Sequence, residues 1–159
     1  MTITGGVVCA YSTGNDGLDA NGNCYIQGGT IYAIGKTTPE MAIDANTEGG
    51  KKLYIQGGTI IAIGSLENGA QLTQSCYQAS SWTRNAWYSI TVGEQTYAFK
   101  TPASGGTKLV VSGAEQPTVK KSVTVSGGTS MCNGMLVDSP EVSGGSNVNL
   151  SNYSGGGGW

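Results

Sequence analysis

Short runs that alternate aliphatic and polar residues recur along the first half of the chain, each opened by a glycine pair. Three segments share the pattern Ile-x-Gly-Gly followed by small or β-branched residues, at 3–10, 26–35 and 55–64. Their glycine pairs lie 23 and then 29 residues apart. Alternation with a period of two predicts strands rather than helices. A shared period of about 20 to 30 residues predicts stacked, similar coils.

The second and third copies also agree in register, because Ile31 and Ala33 align with Ile60 and Ala62. In coils stacked roughly 4.8 Å apart, such residues form an aliphatic ladder. Glycine pairs are expected at the corners, where the backbone needs positive φ or a close approach. We therefore predict an all-β chain with a parallel β-helix over residues 1–76. The alternative is a Gly-rich β-sandwich, whose strands do not require such a long-period sequence repeat.

The second half of the chain is richer in aromatic residues and has a different organisation. Two apolar runs flank Gly93-Glu94-Gln95 and predict a β-hairpin. Because the ends of a stack expose open strand edges, we expect residues 77–106 to form an aromatic cap on one end. Residues 107–153, with two Ser-Gly-Gly motifs, are predicted to add strands and further coils. A Gly-rich tail follows at 154–159.

Composition excludes several function classes. The chain has 27 Gly, no His, ten acidic and eight basic residues. Without His, a Ser-His-Asp site and a His-ligated zinc are impossible. The weak, scattered positive charge argues against nucleic acid, and no stretch approaches the roughly 20 apolar residues of a membrane span. The polar composition suggests a secreted or surface protein of bacteria. Because residues 1–6 read like the middle of a repeat, we expect a fragment that lacks its signal peptide.

Acidic and amide side chains are concentrated in one turn. Residues 15–23 hold two carboxylates and three carboxamides, and a similar group follows 25 residues later. Stacked carboxylates repel unless a cation lies between them, and Ca²⁺ prefers such oxygen ligands. The candidate calcium ligands are Asp16, Asp19, Asn21, Asp44 and Asn46. The alternative is a plain Asp/Asn ladder that satisfies turn amides.

The aromatic residues also allow two interpretations. They either form a flat platform on which sugar rings stack, or they fill the core of the cap. Tyr32 and Tyr54 alternate away from the aliphatic ladder and, with Gln27 over Gln56, are expected on an exposed flat face. The candidate carbohydrate-binding residues are Tyr32, Tyr54, Trp82, Trp87 and Tyr88.

The four cysteines show no CxxC spacing, which excludes zinc and thioredoxin-like interpretations. Cys9 and Cys24 lie where adjacent coils would allow a disulfide, although three pairings of four cysteines exist. The alternative is that all four are small apolar core residues.

The glycine and Asp-Asn motifs together resemble a family of secreted bacterial carbohydrate-binding β-helix proteins. The matching stretches are Gly28–Gly35, Gly57–Gly64 and Asp16–Gly22, and the resemblance covers residues 1 to about 76. It implies a right-handed parallel β-helix, Ca²⁺ in the Asp-rich turns, and binding of cellulose-like or pectin-like polysaccharide. By position, the resemblance makes Asp16, Asp19, Asn21 and Asp44 cation ligands, with Met41 where a second Asp16 is expected.

We expect a non-catalytic polysaccharide-binding module and no enzymatic activity. Asp16 and Asp19 are spaced to serve as a glycosidase pair, but no environment that would raise a pKa is visible in the sequence. A lyase needs a basic residue beside its acids, whereas Arg84, the single Arg, lies in the aromatic region. The alternative function is a structural surface protein that assembles as a homo-oligomer or fibre by end-to-end stacking.

Overall fold

The computed structural model describes residues 1–36 and 39–155, which contain β-strands and no helix. The strands are β1 (Thr2–Tyr11), β2 (Cys24–Ile34), β3 (Leu53–Ile55), β4 (Thr59–Ile63), β5 (Gln71–Leu72), β6 (Cys76–Ala79), β7 (Trp87–Val92), β8 (Gln95–Lys100), β9 (Leu109–Ser112), β10 (Thr118–Ser126), β11 (Thr129–Met131), β12 (Met135–Val137), β13 (Glu141–Asn147) and β14 (Ser151–Tyr153). They form an eight-stranded and a six-stranded sheet. The all-β prediction is confirmed, and residues 156–159 of the predicted tail lie outside the described part.

Parallel pairing joins the three segments that share the glycine motif. β1 pairs with β2, β2 pairs with both β3 and β4, and β3 pairs with β5. Ile31 lies opposite Ile60 and Ala33 opposite Ala62, so the predicted register is confirmed. These four side chains share one core inside the first sheet. Repetition of the same side chain at the same register makes each layer a template for the next.

The other face of β2 and β4 is also buried, because the six-stranded sheet packs against it. Tyr32, Ile34, Ile61 and Ile63 form a second core together with residues of β7 to β12. The second core is the interface between the two sheets. Residues 30–34 of β2 and all of β4 are therefore covered on both faces, which explains the apolar runs 31–34 and 60–63.

The predicted aromatic hairpin exists, but its place in the fold differs from the prediction. β7 and β8 pair antiparallel across Gly93-Glu94, which confirms the hairpin. The hairpin covers the side of β2 and β4 instead of capping an end, because its inward residues complete the second core. The far edge of β4 is closed by β9, which runs antiparallel to it.

The Ser-Gly-Gly segments do not extend the parallel pairing. β10 and β13 pair antiparallel with each other inside the six-stranded sheet. Gly127 and Gly128, both with positive φ, instead lie between β10 and β11. The further coils predicted for 107–153 are therefore replaced by antiparallel strands. β9 pairs antiparallel with β4, and β10 pairs with β7 of the hairpin.

A disulfide joins the two sheets. Cys9 of β1 bonds to Cys132, between β11 and β12, across a sequence separation of 123 residues. The pairing of Cys9 with Cys24 is wrong, because Cys24 points into the core of the first sheet and is buried as a free thiol. Cys76 is also a buried free cysteine, as the alternative interpretation predicted. Within the described ranges, no helix is long and apolar enough to cross a membrane.

Candidate functional site

A cleft of about 490 Å³ opens between the two sheets at the end of β1. The Cys9–Cys132 disulfide lies in its wall, and Tyr32 and Ile34 contribute from β2. Residues 100–103, which end β8, and Asn133 complete the lining. Because the disulfide holds both sides of the cleft together, the opening is preformed.

Tyr11 is the prominent side chain of this cleft. It is 58% exposed, whereas residues 7–10 before it in β1 are half-buried. Its register partner is Ile34, which belongs to the core between the sheets, so Tyr11 points toward the same side. Sequence reasoning missed Tyr11. A signal was available in the repeat. The later copies have Ile34 and Ile63 at the equivalent positions, so the aromatic Tyr11 departs from the repeat.

Tyr32 supports the floor of the cleft through a hydrogen bond. Its hydroxyl donates to the Lys100 carbonyl oxygen at 2.7 Å and so ties β2 to the end of β8. Burial raises the pKa of Tyr32 well above its usual value, and nearby Tyr11 adds to the shift. The Tyr32 hydroxyl therefore stays protonated and acts as a fixed structural donor.

Two carboxamides lie at the cleft on backbone that few residue types adopt. Asn85 has φ 53° and Asn133 has φ 49°, in the left-handed region that Asn tolerates better than most residues. The loop that carries Asn85 is anchored by buried Thr101. The Thr101 hydroxyl donates to the Thr83 carbonyl at 2.7 Å and accepts from the Ala86 N–H at 2.9 Å. The Asn85 backbone is therefore held in place on both sides.

The predicted acidic row exists and is longer than expected. Parallel bridges join Leu18 to Ile43 and Ile43 to Leu66. The next residue in each case is acidic, so Asp19, Asp44 and Glu67 follow one another along the stack. The stacking of Asp19 and Asp44 matches the prediction. Glu67 was missed because the third copy was aligned at 70–73 instead of at Leu66, where an aliphatic-acidic pair marks it.

Two of the predicted calcium ligands, Asp16 and Asn46, already bind backbone groups of the turns. An Asp16 carboxylate oxygen accepts the Met41 N–H, and an Asn46 side-chain oxygen accepts the Gly49 N–H at 2.6 Å. The Asn46 amide also donates to the Asn21 carbonyl at 3.4 Å, as expected for a ladder that satisfies turn groups. Among residues 1–36 and 39–155, no three acidic side chains converge in a way that would hold a metal ion. The acidic side chains alone therefore form no metal cluster, and calcium binding with the help of the carboxamides stays a prediction.

Asp44 lies next to Glu67 in this row, and its carboxyl group holds its proton to a higher pH than usual. Burial raises the pKa of Asp44 to about 8, and the hydrogen bond to Glu67 and the charges of Glu67, Asp16 and Asp19 add to the shift. Glu67 is only 6% exposed, and one of its carboxylate oxygens accepts the Asn68 N–H at 2.6 Å. A neutral Asp44 that donates to Glu67 removes the repulsion between them.

We predict that the protein becomes less stable as the pH rises from about 4 to about 8. Unfolded Asp44 releases its proton near pH 4, whereas folded Asp44 keeps it until about pH 8. Because the folded state binds the extra proton in this window, the free energy of unfolding falls with pH. Since Asp44 is partly exposed, we expect a loss of about 1 to 2 kcal/mol.

Urea unfolding at pH 5 and pH 8 in the presence of a chelator measures this loss. Asp44→Asn should flatten the pH dependence. The matched variant Asp19→Asn, at an exposed position, should keep most of it, because the Asp19 charge is the smallest contribution to the shift. A wild-type protein that is equally stable at both pH values would contradict the raised pKa of Asp44.

The predicted carbohydrate-binding aromatics do not form one platform. Tyr32 and Tyr88 are 4% and 1% exposed, so the expectation that they lie on an accessible surface is corrected. They are covered because the two sheets meet over them. Trp82 is half-buried and its indole N–H donates to the Gly106 carbonyl at 2.7 Å. Trp87 is half-buried opposite Lys100, on the outer face of the hairpin.

Tyr54 lies on a separate, flat face of the first sheet. Its ring stacks on Tyr25 with centroids 4.7 Å apart, so one face of each ring is covered by the other. The Gln27 amide donates to the Gln56 side-chain oxygen at 3.0 Å, which confirms the predicted amide ladder. This face is polar and regular, and its aromatic surface is already partly used within the protein.

Comparison of the chain with family models, with curated proteins and with solved structures gives no match.

Proposed function

We propose that the protein is a non-catalytic polysaccharide-binding module and that a glycan chain binds in the cleft at Tyr11. The exposed Tyr11 ring carries this proposal. An aromatic face in contact with solvent is the surface on which the apolar face of a pyranose stacks. Tyr11 lies at the mouth of a preformed cleft, and a preformed cleft binds a ligand with little ordering cost.

The polar groups around Tyr11 favour a neutral glycan at this position. Asn85 and Asn133 each offer an amide donor and an amide acceptor, which match the hydroxyl pattern of a sugar. The Lys100 side chain projects from the outer face of the hairpin, next to its strand partner Trp87. Lys100 therefore lines the cleft with its backbone carbonyl and not with its ammonium group. The described lining has no carboxylate, which supports binding rather than acid-base hydrolysis. We propose cellulose-like chains ahead of pectin-like ones.

We predict that Tyr11→Ala weakens glycan binding about tenfold, equivalent to roughly 1.4 kcal/mol, because the stacking face is lost. Calorimetry with cello-oligosaccharides and depletion assays on cellulose and pectin measure the effect. Tyr11→Phe, which keeps the ring, should retain most of the affinity. Tyr54→Ala serves as the matched control on the other face. If Tyr54→Ala abolishes binding while Tyr11→Ala does not, the glycan site lies on the Tyr25–Tyr54 face.

Three further features belong to this proposal. We propose that the parallel-paired segments 1–76 are coils of a right-handed parallel β-helix, supported by the register between β2 and β4. We propose secretion or surface exposure, because a disulfide persists in oxidising compartments. Calcium stabilisation is tested by adding Ca²⁺ at pH 8. A higher unfolding midpoint supports it, and an unchanged midpoint contradicts it.

Assembly with a second copy is the alternative function, favoured by the edge of β1. β1 pairs with β2 on one side only, and its ten residues include no charged side chain and no Pro. Such an edge lacks the charged residues and prolines that protect many edges, and only the irregular register around Thr4 interrupts it. Because β9 closes the edge of β4, end-to-end fibres are disfavoured and a two-fold pair through β1 is expected. Sedimentation measures it: Thr4→Lys should produce monomers, and a wild-type monomer at high concentration would exclude assembly.

A further inference from the structure

A second pocket lies between the sheets, in a part of the molecule that the Tyr11 cleft does not include. It has a volume of about 300 Å³. One wall is formed by residues 80–83 of the loop between β6 and β7, and another by residues 147–149 at the end of β13 and just after it. Tyr88 and Lys121 also line it. It shares no lining residue with the cleft.

Tyr88 gives this pocket a buried hydroxyl with an unused hydrogen. The side chain is 1% exposed, and its oxygen accepts the Thr83 N–H at 2.8 Å. A phenol also donates one hydrogen bond. In the described part of the chain, no acceptor receives the Tyr88 hydroxyl hydrogen. A buried donor without an acceptor costs free energy, which a bound acceptor would recover.

Lys121 places a positive charge on the same side of the six-stranded sheet as Tyr88. It lies directly opposite Tyr88 in the β7–β10 pair, and opposed residues project from the same face of a sheet. Tyr88 belongs to the core between the sheets, so Lys121 projects from the same face, where it is solvent-exposed and lines the pocket. β10 is an interior strand, paired with β7 and β13, so edge protection does not explain this charge. No carboxylate within the described ranges forms an ion pair with Lys121.

The remaining polar groups of the pocket carry no negative charge. Ser80, Ser81, Asn147 and Asn149 supply hydroxyl and amide donors, and the described lining includes no Asp or Glu. A site with one cation, several neutral donors and no carboxylate favours an anion over a cation or an apolar ligand. The volume is at the lower end for ligand pockets, which limits the anion to a small group.

We propose that this pocket binds a small oxyanion, held by the Lys121 ammonium and by the Tyr88 hydroxyl. The anionic group is a phosphate, a sulfate or the carboxylate of a sugar acid. The site is independent of glycan binding at Tyr11, because the two lie in separate parts of the fold.

Calorimetric titration of the whole protein with inorganic phosphate, sulfate, galacturonate and galactose tests the proposal. We expect at least one of the three anions to bind and galactose not to bind at this site. Lys121→Gln should weaken anion binding at least tenfold. Lys120→Gln is the matched control, because Lys120 is the neighbouring cation and projects from the opposite face. Tyr88→Phe should weaken binding severalfold by removing the donor.

The outcomes separate the sources of the anion and the two sites. Binding of phosphate or sulfate that Lys121→Gln removes supports a free inorganic anion. Binding of galacturonate alone, removed by the same variant, supports an anion carried on a sugar. Tyr11→Ala should leave either result unchanged even if the proposed cleft fails. Absence of binding by all three anions, or equal losses in Lys120→Gln and Lys121→Gln, would overturn the site. If Tyr88→Phe does not fold, the comparison of Lys121→Gln with Lys120→Gln decides whether the site exists.

Discussion

Replacing Cys9 and Cys132 together by Ser is expected to lower the free energy of unfolding by about 3 to 5 kcal/mol. The bond spans 123 residues of sequence and joins the edge strand β1 to the second sheet. Chain-entropy reasoning gives about 4.7 kcal/mol for a loop of roughly 100 residues. Because β1 pairs with β2 alone, little else ties this edge strand to the second sheet at that point.

Thermal and urea unfolding measure the loss, which corresponds to a fall of about 10 °C in Tm for a chain of this size. Reduced wild-type protein should behave like the double variant. Cys24→Ala is the control, because it removes a thiol and keeps the disulfide. Cys24→Ser is not suitable, because it buries a hydroxyl. A loss under about 1 kcal/mol would mean that the sheet interface alone holds β1. Glycan affinity should also fall, since Cys9 and Cys132 form one wall of the cleft.

Local sequence patterns were enough to predict the register between the second and third repeat copies and the β7–β8 hairpin. Ile31 over Ile60 follows from a repeat in which the same side chains recur, and the β7–β8 hairpin follows from its turn residues. The place of the hairpin did not follow, because it depends on contacts distant in sequence. A signal existed in the unbroken apolar runs 31–34 and 60–63. Strands that are apolar on both faces are covered on both faces, which implies a second layer.

The candidate sites were less predictable, for separate physical reasons. The Cys9–Cys132 bond joins positions that come together only after both sheets form, so spacing alone cannot identify it. Tyr32 alternates away from the aliphatic ladder as predicted, but alternation does not say whether that face meets solvent or another sheet. Tyr11 is exposed because the second sheet does not cover the end of β1. The exposure of Tyr11 is therefore a tertiary property.

Gly57→Ala is expected to lower the free energy of unfolding by about 3 kcal/mol. A Cβ at this position would lie 2.4 Å from the Gln27 carbonyl oxygen, a backbone atom of the layer beneath. Either the parallel pairing between β2 and the β3–β4 segment opens, or the corner shifts. Gly28 occupies the same place one layer earlier, and a Cβ there would lie 2.4 Å from the Thr4 carbonyl oxygen. Gly28→Ala should therefore be similarly costly.

Gly5 is the equivalent glycine of the first copy and provides the matched control. A Cβ on Gly5 would meet nothing within 4 Å, because no described residue lies on that side of β1. Gly5→Ala should therefore be neutral or stabilise by about 0.5 kcal/mol through the unfolded chain. Urea unfolding of the three variants measures the cost of the close backbone approach alone, because the sequence motif and the substitution are the same at all three positions. Equal losses at Gly5 and Gly57 would show that backbone conformation, and not the neighbouring layer, requires glycine at this corner.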